Sequence, residues 1–69
     1  MNSILSKNLK ELRQEMSLTK REVSQKTGLN YSTYLNYENK GKQPPLEVLV
    51  ILAKFFEVSV DCLLGLADY

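Results

Sequence analysis

The chain of 69 residues is short enough to form one domain, 1–69, around one small core. Its composition, 43% hydrophobic and 25% charged, is ordinary for a globular protein and argues against disorder. One cysteine and no histidine exclude an internal disulfide and the usual zinc sites, so we expect no metal or other cofactor. No apolar run approaches the ~20 residues of a membrane span, and the N-terminus leads straight into a charged amphipathic stretch. We therefore expect no signal peptide and a cytoplasmic protein.

Charge is divided unevenly along the chain. Residues 1–43 carry eight basic and four acidic side chains, whereas residues 44–69 carry one basic and four acidic. A domain with this distribution can present one face to phosphates. Charges that are merely scattered over a solvated surface explain the distribution about equally well. Charge alone therefore does not indicate a nucleic-acid-binding face, and the sequence motifs are needed to distinguish the two interpretations.

The first predicted helix runs from Ile4 to about Met16. Its apolar residues repeat at spacings of four, three and four, which places them on one face that we expect to be buried: Leu5, Leu9, Leu12 and Met16.

A second and a third helix follow closely. Thr19-Lys20-Arg21-Glu22 is a capping box, in which the Thr hydroxyl and the Glu carboxylate satisfy backbone N–H groups, and Gly28 ends this helix. Asn30 is a favoured N-cap for the third helix, which ends near residues 39–41. Tyr34 and Tyr37 are expected in the core with their hydroxyls in water.

The last two predicted helices are more apolar. The fourth runs from about Pro45 to Phe56 with a wide apolar face: Leu46, Leu49, Leu52, Ala53 and Phe56. The fifth begins after the N-cap Ser59 and is closed by Gly65. The chain then ends in Leu66-Ala67-Asp68-Tyr69, which is either a frayed end or a dimer contact.

The pairing of the second and third helices is the functional signal. A short connection containing Gly28 makes the two helices cross steeply, and small Ser24 stands where they meet. Residues 18–28 followed by Tyr37-Glu38-Asn39 resemble the lambda-repressor-like, Cro/XRE-type helix-turn-helix family. Residues 52–65 resemble the fourth and fifth helices of that family. The resemblance implies a compact all-α domain of five helices with its helix-turn-helix at about 19–39.

The resemblance also implies a partner, double-stranded operator DNA, with the third helix in the major groove. The residues in base-reading positions are Asn30, Tyr31, Ser32, Thr33 and Asn36. The residues in phosphate-contacting positions are Thr19, Lys20, Arg21, Asn39, Lys40 and Lys42. Asn36 and Tyr31 favour a half-site rich in A·T, because an Asn amide pairs with adenine and an aromatic ring can lie against a thymine methyl.

Two further expectations come from the same resemblance. Arg13 and Glu38 match a family pair that links the first helix to the end of the third. The fifth helix is expected to form a homodimer contact, at least on DNA, through Val60, Cys62 and Leu66, because one recognition helix reads too few base pairs for useful specificity.

Other functions remain open at this point. An enzyme is not expected, because the chain has no catalytic histidine, no paired acid and base, no phosphate-binding glycine loop and little room for a small-molecule pocket. The rival is a protein-interaction module of antitoxin or anti-repressor type that uses the same fold. We expect either a complete small transcription regulator, a repressor of phage or bacterial origin, or the DNA-binding head of a longer repressor.

Overall fold

The computed structural model describes residues 4–66, in which five α-helices and no strands are found. The helices are α1 (Ile4–Glu15), α2 (Lys20–Thr27), α3 (Tyr31–Asn39), α4 (Leu46–Phe56) and α5 (Val60–Leu63). The prediction of an all-α, five-helix domain is thereby confirmed. Expectations for the tail at 67–69, and for the domain boundaries at both ends, concern residues outside the described range. No helix between residues 4 and 66 is long and apolar enough to cross a membrane.

The helix ends are fixed by local hydrogen bonds that the sequence predicts. At the start of α2, the Glu22 N–H donates to Thr19 Oγ1 over 3.1 Å, while the Thr19 N–H donates to Glu22 Oε1 over 2.9 Å. Asn30 Oδ1 accepts from the Ser32 and Thr33 N–H groups and caps α3. Gly28 ends α2 at φ +79°, in the left-handed region that glycine enters at least cost. These caps set where α2 stops and α3 begins.

A single hydrophobic core holds the helices together. Its buried members come from all five helices: Leu5, Leu9, Val23, Tyr34, Tyr37, Leu49, Leu52, Ala53, Phe56 and Leu63. Helix α1 is central, since it packs against both α3 and α5. Asn8 Nδ2 of α1 donates to the carbonyls of Cys62 and Leu63 over 3.2 and 3.0 Å, and Ser6 Oγ donates to the Tyr37 carbonyl. The same helix therefore supports α3 on one side and α5 on the other.

Two predicted core positions are wrong. Met16 is 45% exposed because α1 ends at Glu15 and Ser17 takes a left-handed conformation, φ 57°, so that Leu18 packs against the core instead. Leu46 is 68% exposed, since it is the first residue of α4 and a helical side chain leans towards the N-terminus, away from the packed turns.

Candidate nucleic-acid interface

Helices α2 and α3 form a two-helix unit joined by Gly28, Leu29 and Asn30. Ser24 is buried in α2, as expected for a small residue where the helices meet, and its hydroxyl donates to the Arg21 carbonyl over 2.7 Å. The Thr27 hydroxyl likewise donates to the Val23 carbonyl over 2.7 Å. Because these hydroxyls bond within α2, they need no partner from α3, and the two helices can pack closely.

Helix α3 has two chemically different sides. Tyr34, Tyr37 and Glu38 are buried against the domain. The five predicted base-reading residues are exposed or half-buried: Asn30, Tyr31, Ser32, Thr33 and Asn36. The cap occupies Asn30 Oδ1, which leaves its NH₂ group as the part that could meet a base. The side of α3 turned away from the core thus carries hydroxyl and amide groups of the kind that pair with base edges.

The buried side of α3 is fixed by an ion pair to α1. Arg13 Nη2 lies 2.8 Å from Glu38 Oε1, and Arg13 Nε donates to both oxygens of the same carboxylate over 3.1 Å. Only 1% of the Glu38 side chain and 11% of the Arg13 side chain is exposed. Arg13 Nη1 also donates to the Leu18 carbonyl over 2.8 Å. The guanidinium therefore joins α1, the turn before α2 and the end of α3.

Burial and the contact with Glu38 shift the pKa values of Arg13 and of the neighbouring Tyr34. Hydrogen bonding to Glu38 raises the pKa of Arg13, so the guanidinium stays charged. Burial raises the pKa of the neighbouring Tyr34 phenol, and the Glu38 carboxylate raises it further, so Tyr34 stays neutral. The expectation that the Tyr34 hydroxyl lies in water is wrong, because its ring packs fully inside the core and carries the hydroxyl with it.

The predicted phosphate-contacting residues flank α3 on two sides. Thr19, Lys20 and Arg21 stand at the start of α2, with the Thr19 hydroxyl engaged in the cap. Asn39, Lys40 and Lys42 are exposed at the end of α3 and in the following loop. The N–H groups of Lys40 and Lys42 both donate to the Asn36 carbonyl, over 3.1 and 3.2 Å, which folds the loop back onto α3. Cationic side chains thus lie on both sides of the polar face.

A second group of cations was not predicted. An open groove of about 310 Å³ brings Lys7 and Lys10 of α1 beside Lys20 and Asn39, with Ser6 and Glu38 also in its lining. Lys7 also lies 4.0 Å from Glu11, a surface pair too exposed to neutralise it. The sequence contains a signal, since Lys7 and Lys10 are three residues apart and share a helix face. Their position beside α2 and α3, however, depends on how α1 packs.

The residues predicted for a dimer contact differ in exposure. Val60 and Cys62 of α5 are half-buried, and Val60 packs against the hydrophobic core. Leu66 is 74% exposed. A contact at this end would therefore depend most on Leu66.

Together the short turn, the buried side of α3 and its polar outer side define a helix-turn-helix domain. The chain belongs to the Cro/C1-type helix-turn-helix family: the helix-turn-helix family model HTH_3 matches residues 9–61.

Several curated proteins are similar to the chain. It is 47% identical over 60 residues to the uncharacterized HTH-type transcriptional regulator YobD of Bacillus subtilis, covering 87% of this chain and 54% of YobD. It is 36% identical over 61 residues to the HTH-type transcriptional regulator ImmR of the same organism, covering 88% and 48%. It is 37% identical over 57 residues to the cryptic phage CTXphi transcriptional repressor RstR of Vibrio cholerae, covering 83% and 51%. The chain spans about half the length of these relatives.

The ion pair leads to a stability prediction. Arg13→Met should lower the free energy of unfolding by about 3–5 kcal/mol, because it leaves the Glu38 carboxylate buried without a partner. The double variant Arg13→Met/Glu38→Leu removes both charges and should recover most of that loss. Urea unfolding monitored by circular dichroism measures both. Equal destabilisation of the single and double variants would show that packing by the Arg13 stem, not the charge pair, is what matters.

Proposed function

We propose that this chain is a sequence-specific, double-stranded-DNA-binding transcriptional regulator, a repressor of bacterial or phage origin, that inserts α3 into the major groove. The observation that carries the proposal is the two-sided α3: one side is fixed to α1 by the Arg13–Glu38 pair, and the other offers hydroxyl and amide groups between two sets of lysines. Regulator and repressor names among the similar proteins support it. Such a protein would act in the cytoplasm, where bacterial DNA lies.

The polar side of α3 supplies the chemistry for reading bases. Asn36 is four residues beyond Ser32, so the two lie on one face one turn apart, with Tyr31 in the first turn and Thr33 beside it. An Asn amide can donate to adenine N7 through its NH₂ group while its carbonyl oxygen accepts from the adenine N6 amino group. With no arginine in α3, we propose a half-site richer in A·T than G·C at the base pairs that Asn36 and Tyr31 face.

Lysines around this face supply the affinity. We propose phosphate contacts by the predicted residues Thr19, Lys20, Arg21, Asn39, Lys40 and Lys42, extended by Lys7 and Lys10 through the groove they share with Lys20. Contacts with phosphates fix the position of the protein on the duplex without reading its sequence. The base preference therefore depends on α3, while the strength and salt dependence of binding depend on the lysines.

Two copies of the chain would bind one operator. We propose a two-fold homodimer with half-sites about 34–36 Å apart, formed through Leu66 with Val60 and Cys62 nearby. The support is the exposed Leu66, three residues beyond the end of α5, together with the small number of base pairs that one recognition helix reads.

Selection of bound duplexes from a random DNA pool tests the proposed function. An enriched motif with two inverted half-sites is expected. A chain that enriches no motif, but is captured specifically by a protein partner through the α2–α3 face, would instead support the protein-interaction alternative.

Salt dependence tests the lysines. Lys10→Ala and Lys20→Ala should each make the slope of log K against log salt shallower by about 0.9, for specific and random duplexes alike, because each loses one phosphate contact. Lys54→Ala removes the same charge from the exposed surface of α4 and serves as control, with no change expected in the slope. Slopes that change equally in all three variants would show a general charge effect and remove Lys10 and Lys20 from the interface.

Base reading is tested at Asn36. Asn36→Ala should weaken binding to the selected duplex by about 1–3 kcal/mol and relax the preference at one base pair, while binding to random DNA stays nearly the same. Gln14→Ala removes an exposed amide from α1 and is the matched control. Electrophoretic mobility shifts on the selected duplex and its single-base-pair variants measure both effects. A uniform loss on every duplex would mean that Asn36 contacts phosphate and does not read a base.

The dimer is tested at its most exposed residue. Leu66→Glu should abolish cooperative binding to two half-sites and leave the melting temperature of the domain unchanged, since the side chain is 74% exposed. Leu46→Glu is the matched control: it makes the same substitution at a leucine of α4 that is 68% exposed, and it should leave cooperative binding intact. Cooperative binding that survives Leu66→Glu would move the dimer contact elsewhere.

A further inference from the structure

The side chains of Arg21 and Tyr31 are stacked on each other across the turn of the helix-turn-helix. The guanidinium carbon of Arg21 lies 4.1 Å from the centroid of the Tyr31 ring. Arg21 is the second residue of α2, and Tyr31 is the first residue of α3. The contact therefore joins the start of the supporting helix directly to the start of the recognition helix.

This stack restricts the Tyr31 ring. The backbone of Tyr31 is already fixed, because Asn30 caps α3 immediately before it. Tyr31 is half-buried and is the first residue on the side of α3 that is turned away from the core. A guanidinium over the face of an aromatic ring is attracted by its quadrupole, and this attraction favours one ring orientation among the available rotamers. The Tyr31 ring is thus biased towards one orientation before any ligand arrives.

We propose that Arg21 is a positioning residue for sequence recognition: by stacking on Tyr31, it sets the preference at the base pair that Tyr31 faces. The proposal rests on the proposed function, since it requires DNA on this surface. It gives Arg21 a role that a phosphate contact does not have. A phosphate contact needs only a positive charge, whereas this role uses the flat guanidinium, which stacks on a ring face more closely than the compact, strongly hydrated ammonium of lysine.

The experiment compares Arg21→Lys, Tyr31→Leu and the double variant. Each is titrated with the selected duplex and with the duplexes that differ from it at the base pair whose preference Tyr31→Leu relaxes. Arg21→Lys keeps the charge and should relax the preference at that same base pair by about two- to fivefold, the range of one exposed cation–π contact. The two substitutions should be non-additive, because each removes the same stack.

A control variant separates charge from geometry. Lys26→Ala removes an exposed charge from the same helix and should weaken all duplexes alike, with the base preference unchanged. A second measurement needs no DNA: in the free protein, the side-chain protons of Arg21 should show ring-current shifts that Tyr31→Leu abolishes. Melting temperatures verify that the variants remain folded.

Three outcomes overturn the proposal. If Arg21→Lys keeps the full base preference, Arg21 acts only as a positive charge near phosphate. If the effects of Arg21→Lys and Tyr31→Leu on the base preference are strictly additive, Arg21 does not act through Tyr31. Absence of the ring-current shifts would remove the stack itself. These results leave DNA binding intact, whereas a wild-type chain that selects no duplex overturns the proposed function and this inference with it.

Discussion

The buried pair of Arg13 and Glu38 is the interaction on which the proposed DNA-binding surface depends. Helix α3 has only nine residues, and an isolated helix of that length is unstable in water. Its position must come from tertiary contacts. The Arg13 guanidinium holds the end of α3 through both oxygens of Glu38 and holds the turn before α2 through the Leu18 carbonyl. Because both charges are buried, either one left alone would be costly, so the helix stays in this one position.

The two sides of α3 follow from that constraint. With Glu38, Tyr34 and Tyr37 turned into the domain, helical geometry leaves Ser32 and Asn36 on the outer part of the helix. Helix α1, which provides Arg13, also carries Lys7 and Lys10 into the groove shared with Lys20. One helix thus orients α3 and contributes to the basic surface beside it.

Local signals in the sequence predict much of this structure. The Thr19–Glu22 capping box, the Asn30 cap and Gly28 place α2 and α3 correctly, because each depends on residues only a few positions apart. Met16 and Leu46 are wrongly predicted as core for a related reason. Their apolar spacing is helical, but burial depends on where the helix ends and what packs there.

Features that depend on packing between helices were harder to predict. The Arg13–Glu38 pair was expected only from the family resemblance, since residues 25 positions apart carry no local signal of contact. The basic groove and the Arg21–Tyr31 stack were not predicted at all, because each requires the relative placement of separate helices. The predicted DNA-reading residues remain predictions, although the structure gives them the exposure that the role requires.

An NMR titration of the ¹⁵N-labelled chain with duplex DNA tests most directly whether α3 is the DNA-binding helix. The account predicts amide shift changes centred on the first turns of α3, the start of α2, Lys7, Lys10 and the loop at residues 40–42. The amides of α4 should stay nearly unchanged. Shift changes centred on α4, with α3 unaffected, would contradict the account.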